Sequence, residues 1–188
     1  MATDNFLEEV ATRRNRGLET GMYIMANVLM AVCAVAAFML LMVLQGVLTS
    51  GDSFSAILIT YILPLAAFCG MAVLLFFRRD RIRTEFEYTF TNGQMDFAQV
   101  FNNKKRKNLG TMNIKNVEAL GLVNSGSFRR YLNMQGVKVS NWFVNRDAQL
   151  FYFYFSKEGV KRLIVIEVSE EMLGLLKKYA APGTFQVN

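Results

Sequence analysis

Two long uncharged runs, five residues apart, constrain this chain more than any other feature. From Gly21 to Leu48 no residue carries a charge. After Thr49-Ser50-Gly51-Asp52-Ser53, a second uncharged run extends from Phe54 to Phe77. A bilayer core about 30 Å thick takes roughly 20 apolar helical residues at about 1.5 Å rise each. Both runs exceed that length, so the sequence predicts two transmembrane helices, residues 21–48 and 54–77, joined by a tight turn. The first is read as a span rather than a cleavable leader, because it is too long and a second span follows at once.

Basic residues flank this hairpin at one end only. Arg13, Arg14 and Arg16 precede it and Arg78, Arg79, Arg81 and Arg83 follow it, whereas the turn holds Asp52 and neither Lys nor Arg. Positive charge stays on the cytoplasmic side of a membrane. Both termini are therefore expected in the cytoplasm, with the protein a multi-pass component of the cell's inner (plasma) membrane. Within the second span, Pro64 removes one helical hydrogen bond and predicts a kink, with Thr60 one turn earlier. Ala66 and Gly70 form a small-xxx-small pair that permits close helix approach. That approach is either the packing of the two spans on each other or the seam of a homo-oligomer. Among polar side chains within the spans, Gln45 stands out. Two spans without an ionisable residue argue against a transporter.

The rest of the composition narrows the chemistry. Of the net charge of +6, about +5 lies in residues 84–188. Beside a membrane, such charge points to anionic lipid before nucleic acid, and no nucleic-acid partner is expected. The two cysteines, Cys33 and Cys69, both fall within spans and read as packing residues. The chain has no histidine. Its absence removes Ser-His-Asp and Cys-His catalysis and imidazole metal sites. No enzyme, metal or cofactor is expected.

Residues 1–20 read as a cytoplasmic segment. Within it, residues 4–16 suggest a short amphipathic helix on the membrane surface, with Asn5 as cap, Glu8 in capping-box spacing, and Phe6, Leu7, Val10 and Ala11 on one face. A disordered tail is the alternative. From Thr84 the period becomes two. TEFEYTFT sorts Phe86, Tyr88 and Phe90 to one face, Asn92-Gly93 signals a hairpin, and QMDFAQVF returns with Met95, Phe97 and Phe101 aligned. Gln99 interrupts that face and suggests a bulge or an edge position. Strands are also expected in RKNLGTMNI and IKNVEALGLV, completing a four-strand meander, and then in VKVSNWFV, AQLFYFYFS and VKRLIVIEV. Residues 124–136 are the least regular stretch. Ser169 caps a final helix with Met172, Leu175, Leu176 and Tyr179 as its apolar stripe, and Pro182-Gly183 ends it.

Seven strands followed by one amphipathic helix is the order of a pleckstrin-homology-like (PH-like) barrel. The run EYTFTNGQMDF, then KRKNLGTMNIKNVEAL, resembles the opening strands of bacterial membrane-anchored PH-like proteins. The whole chain is also similar to a family of small two-span bacterial membrane proteins carrying an NKKRKNLG stretch. The resemblance implies a transmembrane hairpin plus an α+β domain over residues 84–188. That domain would be a seven-stranded antiparallel barrel or sandwich closed by its C-terminal helix. It brings no catalytic residues. It does not bring inositol-phosphate recognition either, because the first hairpin turn, Asn92-Gly93, has no Lys or Arg beside it.

Two clusters stand out as binding candidates. Lys104, Lys105, Arg106 and Lys107 form the densest basic run and suit anionic lipid headgroups; the alternative is a solvated turn. Phe128, Arg129, Arg130 and Tyr131, bracketed by Gly126 and Gly136, suit a phosphate or carboxylate clamp or a partner surface that also includes Trp142, the only tryptophan; the alternative is packing. The reading that follows is a membrane-anchored PH-like binding or scaffold module that recruits a protein or peptide partner at the cytoplasmic face. Its alternatives are an anionic-lipid sensor and a structural subunit of a larger membrane complex that uses the Ala66/Gly70 face.

Overall fold

The computed structural model describes residues 5–48 and 53–186. All of the expected turn Thr49–Ser53 but Ser53, and the first residue of the predicted N-terminal helix, Asp4, lie outside the described residues. The chain divides into two compact units, and the division does not follow sequence order. Residues up to Arg14 join those from Thr84 onward, and residues 15–83 form the other unit.

In the larger unit, Phe6–Ala11 is a strand (β1), not the expected helix. It pairs antiparallel with β2 (Thr84–Thr91), from Phe6 opposite Thr91 to Ala11 opposite Phe86. FLEEVA satisfies a helical stripe as well as a strand. The strand wins because β2 offers a ladder of hydrogen bonds and a core for Leu7 and Ala11, which a short helix over residues 4–16 on its own lacks. The outward residues Phe6 and Val10 stay exposed, at 60% and 48%.

β2 runs through a two-residue turn into β3 (Gln94–Phe101), and β4 (Lys105–Asn113) completes a sheet of order β1-β2-β3-β4. Phe86, Tyr88, Phe90, Met95 and Phe97 are buried as the period-two reading requires. Asn92 and Gly93 both hold positive φ. A Cβ on Gly93 would also lie 2.7 Å from Cδ1 of Tyr179, so glycine is required there for both angle and space. The expected irregularity exists but sits one strand over. The β3–β4 register shifts between Phe97 and Ala98, so Leu109 is the extra residue beside Gly110.

The second sheet has order β6-β8-β7-β5-β9, built from β5 (Ala119–Leu122), β6 (Lys138–Trp142), β7 (Leu150–Lys157), β8 (Val160–Glu167) and β9 (Phe185–Gln186). The domain thus has nine described strands in two sheets of four and five, rather than the expected seven of an antiparallel barrel or sandwich. The meander expectation also ends one strand early. Ile114–Asn116 is a 3-10 turn, and it carries β5 into the second sheet to pair with β7. Two strands are parallel additions at opposite edges, β6 on β8 and β9 on β5. The second needs Gly121, where a Cβ would stand 2.7 Å from the Gln186 carbonyl oxygen. The irregular stretch contains a short helix, Gly126–Leu132.

The final helix, Glu170–Tyr179, is capped as expected, with the Ser169 hydroxyl accepting from the Met172 amide at 3.1 Å. Met172, Leu173 and Leu176 are buried in the core shared by both sheets. Tyr179 packs edge-on to Phe90 at 5.2 Å and accepts from the Asn5 side chain at 2.8 Å. This helix therefore closes the end of the first sheet marked by the Asn92-Gly93 turn.

The other unit holds two helices long and apolar enough to cross a membrane, Arg16–Val47 (α1) and Phe54–Ile82 (α2). α2 makes a π turn at Leu58–Ile62 just before Pro64. Proline has no amide hydrogen and its ring crowds the carbonyl four residues back, that of Thr60, and a widened turn accommodates both effects. Cys33 and Ala37, one turn apart on α1, are buried where the helices meet. The small-residue approach is therefore on the first helix. Ala66 and Gly70 are exposed, and a Cβ on Gly70 would meet nothing within 4 Å. Asn27, which the sequence reading passes over in favour of Gln45, accepts from the Arg79 guanidinium at 2.6 Å. Arg83 lies 4.4 Å over the Tyr23 ring.

Candidate functional site

The residues expected to form one recognition surface separate into two packing roles. The helix Gly126–Leu132 covers the outer face of the second sheet. Phe128 lies 5.4 Å from the Tyr152 ring, and Tyr131 stacks on Tyr154 at 4.4 Å. Buried Ser127 bonds the Tyr152 hydroxyl at 3.0 Å, and burial pushes that phenol above its ordinary range. Trp142 belongs to the other side of the sheet, with its ring 5.0 Å from Phe97. Arg129 and Arg130 remain exposed, but the aromatics beside them are occupied. Within this irregular, glycine-bracketed stretch SFRRYL forms a short helix that half-buries its aromatics against the sheet.

The basic run keeps its exposure and gains a position. Lys104 sits in the turn after β3, and Lys105–Lys107 open β4, all four exposed. Arg106 pairs with Glu87 at 2.8 Å. No ion pair is described for Lys104, Lys105 or Lys107. Register fixes where they lie. Ala11 pairs with Phe86, Thr84 with Phe101, and Phe101 with Lys105. The basic turn is thus at the same end of the first sheet as the two points where the chain leaves for, and returns from, the apolar helices. The closing helix occupies the opposite end.

A polar network that sequence reasoning missed holds β1 in place. Glu167 accepts from the backbone amides of Val144 and Asn145, the latter at 2.6 Å, and from the Asn145 side chain at 3.0 Å. Buried Asn145 also donates to the Thr12 carbonyl at 2.8 Å and accepts from the Arg14 amide at 3.0 Å. Arg14 pairs with Asp147 at 2.7 Å. Glu9 accepts from the Ser169 amide and hydroxyl. Tyr88 donates to the Trp142 carbonyl, and burial drives its phenol far above the ordinary range. These groups border a cleft of about 400 Å³ that includes Glu9, Tyr88, Glu167 and Ser169. Their polar atoms are engaged with one another, so the arrangement is a clamp on residues 9–14. Asn145-Arg146-Asp147 reads in sequence only as a turn, because partners more than 130 residues away leave no local signal.

Of the flanking arginines, Arg13, Arg16, Arg78 and Arg81 are exposed, while Arg79 and Arg83 turn back onto α1. Among the described residues no group of three or more His, Cys, Asp or Glu side chains could hold a metal ion. A family model described as a bacterial PH-like domain matches residues 3–186. No curated protein and no solved structure matches the chain.

Proposed function

The chain belongs to the bacterial PH-like domain family, and on that premise we propose that it is a membrane-anchored, non-catalytic binding module whose basic β3–β4 turn rests on the anionic headgroups of the membrane that anchors it. The observation that carries this reading is the strand register. It puts Lys104–Lys107 at the sheet end through which the chain reaches its two apolar helices. The helices support the anchoring. Large side chains such as Met25, Met39, Phe54 and Ile59 are exposed along both, more apolar surface than water tolerates on a helix pair. Each cation near an anionic surface is worth about 1 kcal/mol, so Lys104, Lys105 and Lys107 together supply roughly 3 kcal/mol. That is enough to orient a tethered domain although it is too little to anchor a free one.

Recruitment of a protein or peptide partner at the cytoplasmic face fits the same architecture. The anchor confines the domain to the membrane surface, so weak contacts suffice there. The aromatics at residues 128–131 are spent on packing, so that partner meets another part of the domain.

Amide hydrogen exchange of the full chain in nanodiscs tests the headgroup contact. With phosphatidylglycerol present, residues 101–107 are expected to exchange more slowly than in pure phosphatidylcholine, with that added protection fading at high salt. Equal exchange in both lipids would refute it.

A further inference from the structure

A docking edge for a partner follows from the four sheet edges, and it rests on the binding-module reading above. Exposed strand edges invite pairing with another chain unless something blunts them. β1 carries adjacent Glu8 and Glu9. β4 opens with Lys105-Arg106-Lys107 and is broken by the irregularity at Leu109-Gly110. β9 has two described residues, Phe185–Gln186, and lies at the chain's end. β6, Lys138–Trp142, has none of these devices. It holds five residues in unbroken register with β8, no proline, and one charge, Lys138. Its outward Val139 is exposed.

Beside the end of β6 a small cleft of about 40 Å³ opens between the inner faces of the two sheets, floored by Phe97, Trp142 and Phe155. Two cations border it, Arg162 and Lys157, and no carboxylate does. The Arg162 Nε is buried and has no hydrogen-bond partner. A buried, unsatisfied guanidinium nitrogen is costly unless an acceptor reaches it.

We infer that β6 receives an extended peptide segment of a protein partner, which adds as a further strand and places a carboxylate side chain against Arg162 and Lys157. Strand addition supplies backbone hydrogen bonds, and side chains on alternate residues supply selection. A small anion alone would use the cations but not the strand edge.

The test uses the full chain in phosphatidylcholine nanodiscs, which keeps the Lys104–Lys107 headgroup contact out of the experiment, so that failure here leaves that contact standing. The probes are an N-acetylated hexapeptide of alternating valine and glutamate and its valine–lysine counterpart. The readout is the emission of Trp142, the only tryptophan. The glutamate peptide is expected to shift that emission saturably below about 1 mM, and the lysine peptide is expected to leave it unchanged. Arg162→Gln and Lys157→Glu are each expected to weaken binding by about tenfold, the loss of one charge-assisted contact. Should Arg162→Gln fail to fold, Lys157→Glu, at the exposed end of β7, decides alone. No shift up to about 1 mM, an equal response to the lysine peptide, unchanged binding in Lys157→Glu, or the same shift from sodium phosphate alone would overturn the proposal.

Discussion

Single residues carry far more of this fold than their number suggests. Gly93 combines a left-handed angle with a side-chain contact that a methyl group would violate. Gly93→Ala is therefore expected to cost about 1–3 kcal/mol, read as a lower unfolding midpoint in mild detergent. Asn145 joins Thr12, Arg14 and Glu167 in one buried node. Asn145→Ala strands those partners and is expected to cost roughly 1–3 kcal/mol, with faster amide exchange in residues 6–14 as its specific signature. Tyr88 gives a prediction in pH. Its folded-state value is raised, so its contribution to stability is intact below the unfolded value near pH 10 and is lost as pH rises beyond it. Alkaline unfolding of the native chain should therefore steepen above about pH 10 relative to Tyr88→Phe; parallel curves would contradict this.

At the scale of elements, legibility followed the range of the forces involved. The β2–β3 hairpin and the final helix are written locally, in the alternation of Phe86, Tyr88 and Phe90, in Asn92-Gly93, and in the Ser169 cap, and the structure has them where the sequence puts them. β1 was not legible. Six residues compatible with a helix became a strand because their partner, β2, lies beyond two apolar helices. The helix at residues 126–132 was hidden for a similar reason, since its stabilising contacts, Tyr152 and Tyr154, belong to β7. The hairpin seam was misplaced because small residues at four-residue spacing occur on both helices, and only packing selects Cys33 and Ala37. Ala37→Leu should thus destabilise the helix pair by about 1–3 kcal/mol through overpacking. Gly70→Leu should leave it intact, and thermal unfolding in detergent separates the two.

For the whole molecule, the controlling fact is that a domain is interrupted by a pair of long apolar helices. The helices emerge between two strands that pair with each other, and Ala11, the last residue of β1, is the register partner of Phe86 near the start of β2. An insertion that starts and finishes at neighbouring strand ends must return to the side it left, which the two membrane crossings proposed above would accomplish. Cysteine labelling in sealed inside-out vesicles tests this most directly, in a chain with Cys33 and Cys69 replaced by alanine and single cysteines introduced at Ser53 or at Asn103. The account predicts that Asn103→Cys reacts with an impermeant maleimide from outside these vesicles, while Ser53→Cys reacts only after the membrane is opened. Reaction of both positions from the same side would contradict it.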